Sequence, residues 1–119
     1  MSSSLCVLVV DDDPGIRDTI QFMLEDAGYA VVTATSGPEA LTRVLERAPA
    51  LVLLDLQMPL MSGQETLARL RDMPLQIPVI FMTAGLRAQI EAAAHGADGH
   101  LAKPFEFEEL LHLVRRFCA

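Results

Sequence analysis

Tryptophan is absent from this chain of 119 residues, and its aromatics come down to one tyrosine and five phenylalanines. Aliphatic side chains have to build the interior, and with 51% of residues hydrophobic they suffice for one compact domain. Long apolar runs are missing too. None approaches the roughly 20 residues of a membrane span, so no transmembrane segment is expected. Met1-Ser2-Ser3-Ser4 puts no basic residue ahead of the first, short apolar run. A signal peptide is therefore not expected, and the cytoplasm is the expected location. Positive charge is scarce, with a formal net charge of −7. That balance argues against nonspecific binding of this domain to nucleic acid or to an anionic membrane.

Cysteine occurs twice, at Cys6 and Cys118. The pair reads as two free thiols in a reducing compartment. Cys6 lies in an apolar run and reads as a small buried hydrophobe. Cys118 stands next to the last residue, where an exposed thiol would crosslink molecules on storage. Lysine is scarcer still: Lys103 stands alone beside eight arginines. Lysine is a compact point charge on a flexible stem, whereas arginine is a planar fork. A lone lysine in such a background is a candidate for a place that a fork cannot fill.

What the chain does have is two aliphatic runs that stop at aspartate. Leu5 to Val10 ends in Asp11-Asp12-Asp13, and Leu51 to Leu54 ends in Asp55. Each run reads as a strand buried on both faces, the pattern of a parallel sheet covered by helices. Parallel strands end on the same edge, where open α/β sheets bind their ligands. Like charges about 4 Å apart repel by roughly 4 kcal/mol at an effective dielectric near 20. Acids gathered there need something positive among them.

The remaining segments alternate in the same way. Pro14 to Ala27 has helical periodicity, with Ile16, Ile20, Met23, Leu24 and Ala27 on one face, Pro14 at the start and Gly28 at the stop. Tyr29 to Ala34 is a β-branched strand. Ser36-Gly37-Pro38-Glu39 reads as a capping box. It opens a helix with Ala40, Leu41, Val44, Leu45 and Ala48 inward, ended by Pro49. Met58 to Met61 is a loop. Ser62-Gly63-Gln64-Glu65 reads as a second capping box, with Leu67 and Leu70 inward. Pro74 and Pro78 bracket the path to a strand over Val79–Thr83. A helix is expected over Leu86–His95, with Leu86, Ile90, Ala93 and Ala94 inward and Gly96 at its end. Gly99–Ala102 is a short last strand. Phe107, Leu110, Leu111 and Val114 line a final helix. Five βα units in strict alternation predict an α/β fold, a parallel sheet with helices on both faces and right-handed crossovers. One domain over 1–119 is expected, with no linker or repeat.

The strand ends bring Asp11, Asp12, Asp13, Asp55, Thr83 and Lys103 toward one edge. Each is ordinary taken singly. Asp13 reads as the N-cap of the first helix, and the others would pass as turn, strand or solvated residues. Together they suggest chemistry. Asp11, Asp12 and Asp55 carry three negative charges against one on Lys103, and one divalent cation would balance the difference. Hard oxygen donors with room for water favour Mg²⁺ over Zn²⁺. The simplest reading is a carboxylate nucleophile that takes a phosphoryl group. Mg²⁺, Lys103 and the Thr83 hydroxyl would bind the oxygens of that group. The histidines, His95, His100 and His112, lack ligand spacing.

These residues resemble the receiver domain of bacterial two-component response regulators over essentially the whole chain. The resemblance is carried by Asp11-Asp12 after an apolar strand, Asp55-Leu56-Gln57-Met58-Pro59 with Ser62-Gly63, Thr83-Ala84, and Lys103-Pro104-Phe105. It implies a five-stranded parallel sheet in order 2-1-3-4-5 flanked by five helices, a doubly wound flavodoxin-like (βα)5 fold. It implies Asp55 as phosphoacceptor, and Asp11, Asp12, Asp55 and the backbone carbonyl of Gln57 as the site of Mg²⁺, with Mn²⁺ as a substitute in vitro. Thr83 would be the switch hydroxyl, and Lys103 would contact the acyl phosphate. An aromatic on the last strand usually follows the switch hydroxyl inward, and here that position is His100, which is smaller and titrates near neutrality. Gln57 and Gly85 occupy positions that tune dephosphorylation in the family. Such a domain is no enzyme beyond its own phosphorylation and dephosphorylation. Its implied partners are a histidine kinase or phosphotransfer protein, and a second copy or an output domain through the 85–119 face. Both a single-domain regulator and a receiver excised from a longer regulator or hybrid kinase fit.

Other functions fit less well. A degenerate receiver used only for protein binding would not need the acid, hydroxyl and lysine set intact. A Mg²⁺-dependent aspartyl-phosphate phosphatase would want an acid where Gln57 stands, and a cap domain. A flavodoxin-like FMN carrier would want a Ser/Thr/Gly-rich loop where three acids would repel phosphate.

Overall fold

The computed structural model describes residues 6–84 and 96–118. Leu5, the helix expected over Leu86–His95, and Gly85 lie outside the described residues. Five parallel strands form one sheet in the order β2-β1-β3-β4-β5. They are β1 (Cys6–Val10), β2 (Ala30–Ala34), β3 (Leu51–Asp55), β4 (Val79–Ala84) and β5 (Gly99–Lys103). Four helices are found among the described residues: α1 (Pro14–Asp26), α2 (Gly37–Glu46), α3 (Gly63–Arg71) and α4 (Phe107–Phe117). None of them is long and apolar enough to cross a membrane.

The strands alternate between two cores. Leu8, Val10, Val52, Leu54, Val79 and Phe81 face α2 and α3. Val7, Val9, Leu51, Leu53, Ile80 and Met82 face the other side, where Ile20 and Leu24 of α1 and Leu110 and Val114 of α4 cover them. β1 and β3 are buried along their whole length, as their unbroken aliphatic runs require.

Helix ends follow local chemistry. Asp13 caps α1, accepting from the N–H of Gly15 at 2.9 Å and of Ile16 at 3.4 Å. Gly28, at φ +101°, ends it, and the Tyr29 N–H donates back to the Leu24 carbonyl at 3.0 Å. Neither expected capping box closes fully. The Ser36 and Ser62 hydroxyls accept from the N–H groups of Glu39 and Glu65, at 3.3 and 3.1 Å. Glu39, however, accepts from the Thr35 N–H at 2.6 Å rather than from Ser36, and Glu65 turns to Arg69.

Three residues expected on inner faces are exposed: Ala27, Leu45 and Ala48. Ala27 is already the C-cap of α1. Ala48 precedes Pro49, which disfavours helical geometry there, and α2 ends at Glu46 with Arg47 extended. Leu45, 74% exposed, follows Val44, which takes the inner position. Cys118 is buried rather than exposed. Burial, helped by the nearby Cys6, pushes its thiol up to about 11, so it is a poor crosslinking nucleophile.

At the edge away from the strand C-termini, Asp98 fastens β5 to β4. Its carboxylate accepts from the buried Val79 N–H and from Arg71, both at 2.8 Å. Arg71 also donates to the Ile77 carbonyl at 2.8 Å. Asp98→Ala leaves a buried N–H without its acceptor and is expected to cost about 1–3 kcal/mol in urea denaturation. Asp98→Asn keeps an acceptor and should cost less. Equal losses would mean that the charge, not the acceptor, is what matters.

Candidate functional site

Register decides what meets at the C-terminal edge. Val10 pairs with Leu54, so the next residues along, Asp11 and Asp55, come level. Ala84 on β4 pairs with Lys103 on β5. Side-chain alternation puts Asp11, Asp55 and Lys103 on the same face of the sheet as the α1–α4 core. One carboxylate oxygen each from Asp11, Asp12 and Asp55 lie within 4.8 Å of one another. Asp11 is fully buried and Asp55 is 5% exposed, while Asp12 faces solvent.

Lys103 supplies the positive charge that this cluster needs. Its ammonium donates to Asp11 Oδ2 at 2.8 Å and to Asp55 Oδ1 at 3.4 Å. Burial pulls its pKa down, but the Asp11 hydrogen bond and the charges of Asp55 and Asp11 outweigh that and hold it above its ordinary value. The Lys103–Pro104 peptide that follows is cis. Both oxygens of Asp11 are engaged, because Oδ1 accepts from the Asp13 N–H at 2.9 Å. Asp55 Oδ1 accepts from the Gln57 N–H at 3.3 Å. The exposed Asp12 is left as the carboxylate best placed to meet an incoming cation.

Thr83 is buried near the end of β4, on the opposite parity from Asp55's register partner Met82. His100 is half-buried and sits level with Phe81, below the edge where the acids lie. The structure thus joins the three acids and Lys103 by direct contact or close approach. Thr83 lies near the end of β4 on the other parity, and His100 lies three residues before Lys103 on β5.

Two contributors escaped sequence reasoning. Arg17 Nη1 donates to the Asp11 carbonyl at 2.9 Å. The available signal was a cation in the first turn of a helix, where the dipole disfavours it. Gly63 stood in the sequence only as part of a motif. A Cβ there would come within 2.6 Å of the Asp55 carbonyl and 2.7 Å of Leu56 Cα. The bare backbone lets the Gly63 N–H reach the Leu56 carbonyl at 2.9 Å, which seats the start of α3 directly behind Asp55.

The donor set suits a hard divalent cation. All three groups are carboxylates, one is open to solvent, and a single ammonium leaves the negative charge in excess. The strain of that excess is visible in Asp55. Burial first, and then the charge of Asp11, raise its pKa from 3.8 to about 6 against the opposing pull of Lys103.

The family model for the response regulator receiver domain matches residues 7–115. A 14.6 kDa protein of Leptolyngbya boryana, from the sodA1 3′ region, is 40% identical over 116 residues, 94% of this chain and 88% of that protein. The transcriptional regulatory protein DltR of Streptococcus agalactiae is 40% identical over 111 residues, 92% of this chain but 50% of the regulator. The chain therefore spans about half the length of that transcriptional regulator. A putative response regulator from Chloroflexus aurantiacus superposes with a TM-score of 0.91 at 34% identity, over 97% of this chain and 98% of that one.

Without a bound cation, folded Asp55 keeps a proton that the unfolded chain releases between pH 3.8 and about 6. Its contribution to stability is full below that window and lost as pH rises through it. Asp55→Asn should therefore raise the melting temperature of the metal-free protein at pH 7.5 by roughly 5 °C or more. The gap should close toward pH 4 and narrow when Mg²⁺ is added. A gap independent of pH would show that the carboxylate charge is not its source.

Proposed function

This chain belongs to the response regulator receiver family, and from that premise we propose that it is a switch thrown by phosphorylation of Asp55. The observation that carries this reading is the position of Asp55: nearly buried, beside two further acids, and in contact with the chain's only lysine. A phosphohistidine on a histidine kinase or phosphotransfer protein is the donor. An Asp55 oxygen attacks phosphorus, the bond from phosphorus to imidazole nitrogen breaks, and the leaving imidazole takes up a proton. An acyl phosphate remains on Asp55.

Asp12, Asp55 and the Gln57 carbonyl would hold Mg²⁺, and Asp11, with both oxygens already engaged, would contribute through its charge and by way of water. Bound there, Mg²⁺ supplies charge neutralisation for the phosphoryl oxygens. Lys103 moves from sharing Asp11 and Asp55 to contacting a phosphoryl oxygen. Phosphorylation takes the Asp55 side chain from about one negative charge to about two, with three strong acceptor oxygens. The Thr83 hydroxyl turns to donate to one of them. The volume it leaves is taken up by His100, and the change reaches the 85–119 face, where a second copy or an output domain reads it. The unit acts in the cytoplasm, as one receiver domain over 1–119. It catalyses only its own phosphorylation and dephosphorylation.

Mixed with Mg²⁺ and acetyl phosphate, the protein should gain about 80 Da in intact mass, one phosphoryl group in place of a proton. Asp55→Asn or EDTA should abolish the gain. If no adduct appears, beryllofluoride distinguishes rapid hydrolysis, in which it binds, from a receiver that only binds proteins, in which it does not. His100 makes a separate prediction. The phosphorylation-induced shift in the amide spectrum should be larger in His100→Tyr, whose ring fills more of the volume that Thr83 vacates. A shift indifferent to the substitution would remove His100 from the switch.

A further inference from the structure

Asp11 and Asp12 follow one another along the chain, yet the structure treats them differently. Asp11 is enclosed by partners: its N–H donates to the Ala34 carbonyl at 3.2 Å, and its carboxylate takes Lys103 and the Asp13 N–H. Asp12 is exposed, but one of its oxygens still lies within the 4.8 Å cluster. An exposed side chain in the first residues after a strand has no packing to aim it. Its direction has to come from the backbone that carries it.

That backbone is held from one side by Arg17. β1 ends at Val10, β2 ends at Ala34, and Ser36 already serves as the cap of α2. At Asp11 the carbonyl is met by a side chain, Arg17 Nη1 at 2.9 Å, rather than by the next rung of the ladder. The peptide is planar, so the Asp11 carbonyl, the Asp12 N–H and the Asp12 Cα turn as one unit. A guanidinium fixed on that oxygen fixes the plane from which the Asp12 side chain projects. Arg17 is half-buried and closes the first turn of α1, a turn that holds no acid. A cation there runs against the helix dipole, which is a local cost that its contact with Asp11 accounts for. The Arg17 charge also helps, behind Thr35 and Arg43, to hold the Glu39 carboxyl at the start of α2 below the ordinary range.

We infer that Arg17 is a positioning residue for the divalent-cation site, holding the Asp11–Asp12 peptide in the orientation that aims the Asp12 carboxylate at Asp55. The inference rests on the cation site of the proposed function and adds to it a residue that touches neither cation nor phosphoryl group. Charge alone predicts the opposite sign. Removing a nearby cation from an acid cluster should tighten Mg²⁺ binding, whereas removing the brace should weaken it.

The test is calorimetric titration of Mg²⁺ into the full chain, wild type beside Arg17→Ala and Arg17→Lys, with metal-free melting curves and the Asp12 amide resonance recorded for each. Arg17→Ala should weaken Mg²⁺ about tenfold, the lower range for loss of a partner that orients a metal ligand. The Asp12 amide should shift, and the metal-free melting temperature should stay close to wild type. Arg17→Lys should recover most of the loss, since an ammonium N–H can reach the same carbonyl. Mg²⁺ affinity unchanged within about twofold, or tighter, in Arg17→Ala overturns the inference while leaving the cation site standing. No Mg²⁺ binding by the wild type overturns the cation site and the inference together. If Arg17→Ala does not fold, Arg17→Gln, which keeps the aliphatic stem, carries the same comparison.

Discussion

The contact between Lys103 and Asp11 is the interaction on which this site depends. Without a cation, three carboxylates cannot be held this close at the end of a buried sheet. Two of them have almost no access to water, and desolvation raises the cost of each charge. Lys103 comes from β5, at the far side of the sheet, and meets Asp11, which follows β1 and lies 92 positions earlier in the chain. The reach requires β3 and β4 between them, in register, with all four strand ends on one edge. Folding the sheet and assembling the charge cluster are therefore one event.

That assembly remains electrostatically incomplete. One ammonium offsets only part of the negative charge, and the raised pKa of Asp55 reports the residue. A group poised in this way is responsive. A cation would relieve it, and the phosphoryl group proposed for Asp55 would reorganise it, because every nearby donor would have to redistribute among new acceptor oxygens. The two aliphatic cores behind the edge do the opposite. They are densely buried on both sides of the sheet and give the strained edge a fixed base to act against. Stability sits in the strands, and the capacity to change sits at their ends.

The turns that follow the strands are built with the same economy. Asp13 caps α1 through its side chain, and its backbone N–H orients Asp11. Gly63 lets α3 begin against the Asp55–Leu56 backbone. Arg17 reaches back from α1 to the Asp11 carbonyl. Each helix start thereby steadies the strand end that precedes it, and the βα turn is the unit in which fold and site meet.

Much of this was legible from composition and spacing. Unbroken aliphatic runs ending in aspartate imply parallel strands covered on both faces, and strict alternation with helices implies the common edge. Those are local, periodic signals, and the motif around Asp11, Asp55, Thr83 and Lys103 could be read from them. Helix boundaries and inner faces were read less well. Ala27, Leu45 and Ala48 fit the helical period but fall at or beyond helix ends or beside a residue that already fills the inner position. The burial of Cys118 was hidden because it depends on where α4 lands against β1. Sequence by itself determined which chemical groups would reach the edge, because strand parity and the alternation of strands with helices are written in local periodicity, while the strand order came with the family resemblance. Only the tertiary structure decided which of the acids is enclosed and which is open, which oxygen Lys103 takes, and that Arg17 and Gly63 belong to the site. Those outcomes depend on distances of a few ångströms between segments far apart in sequence, and no periodicity carries that information.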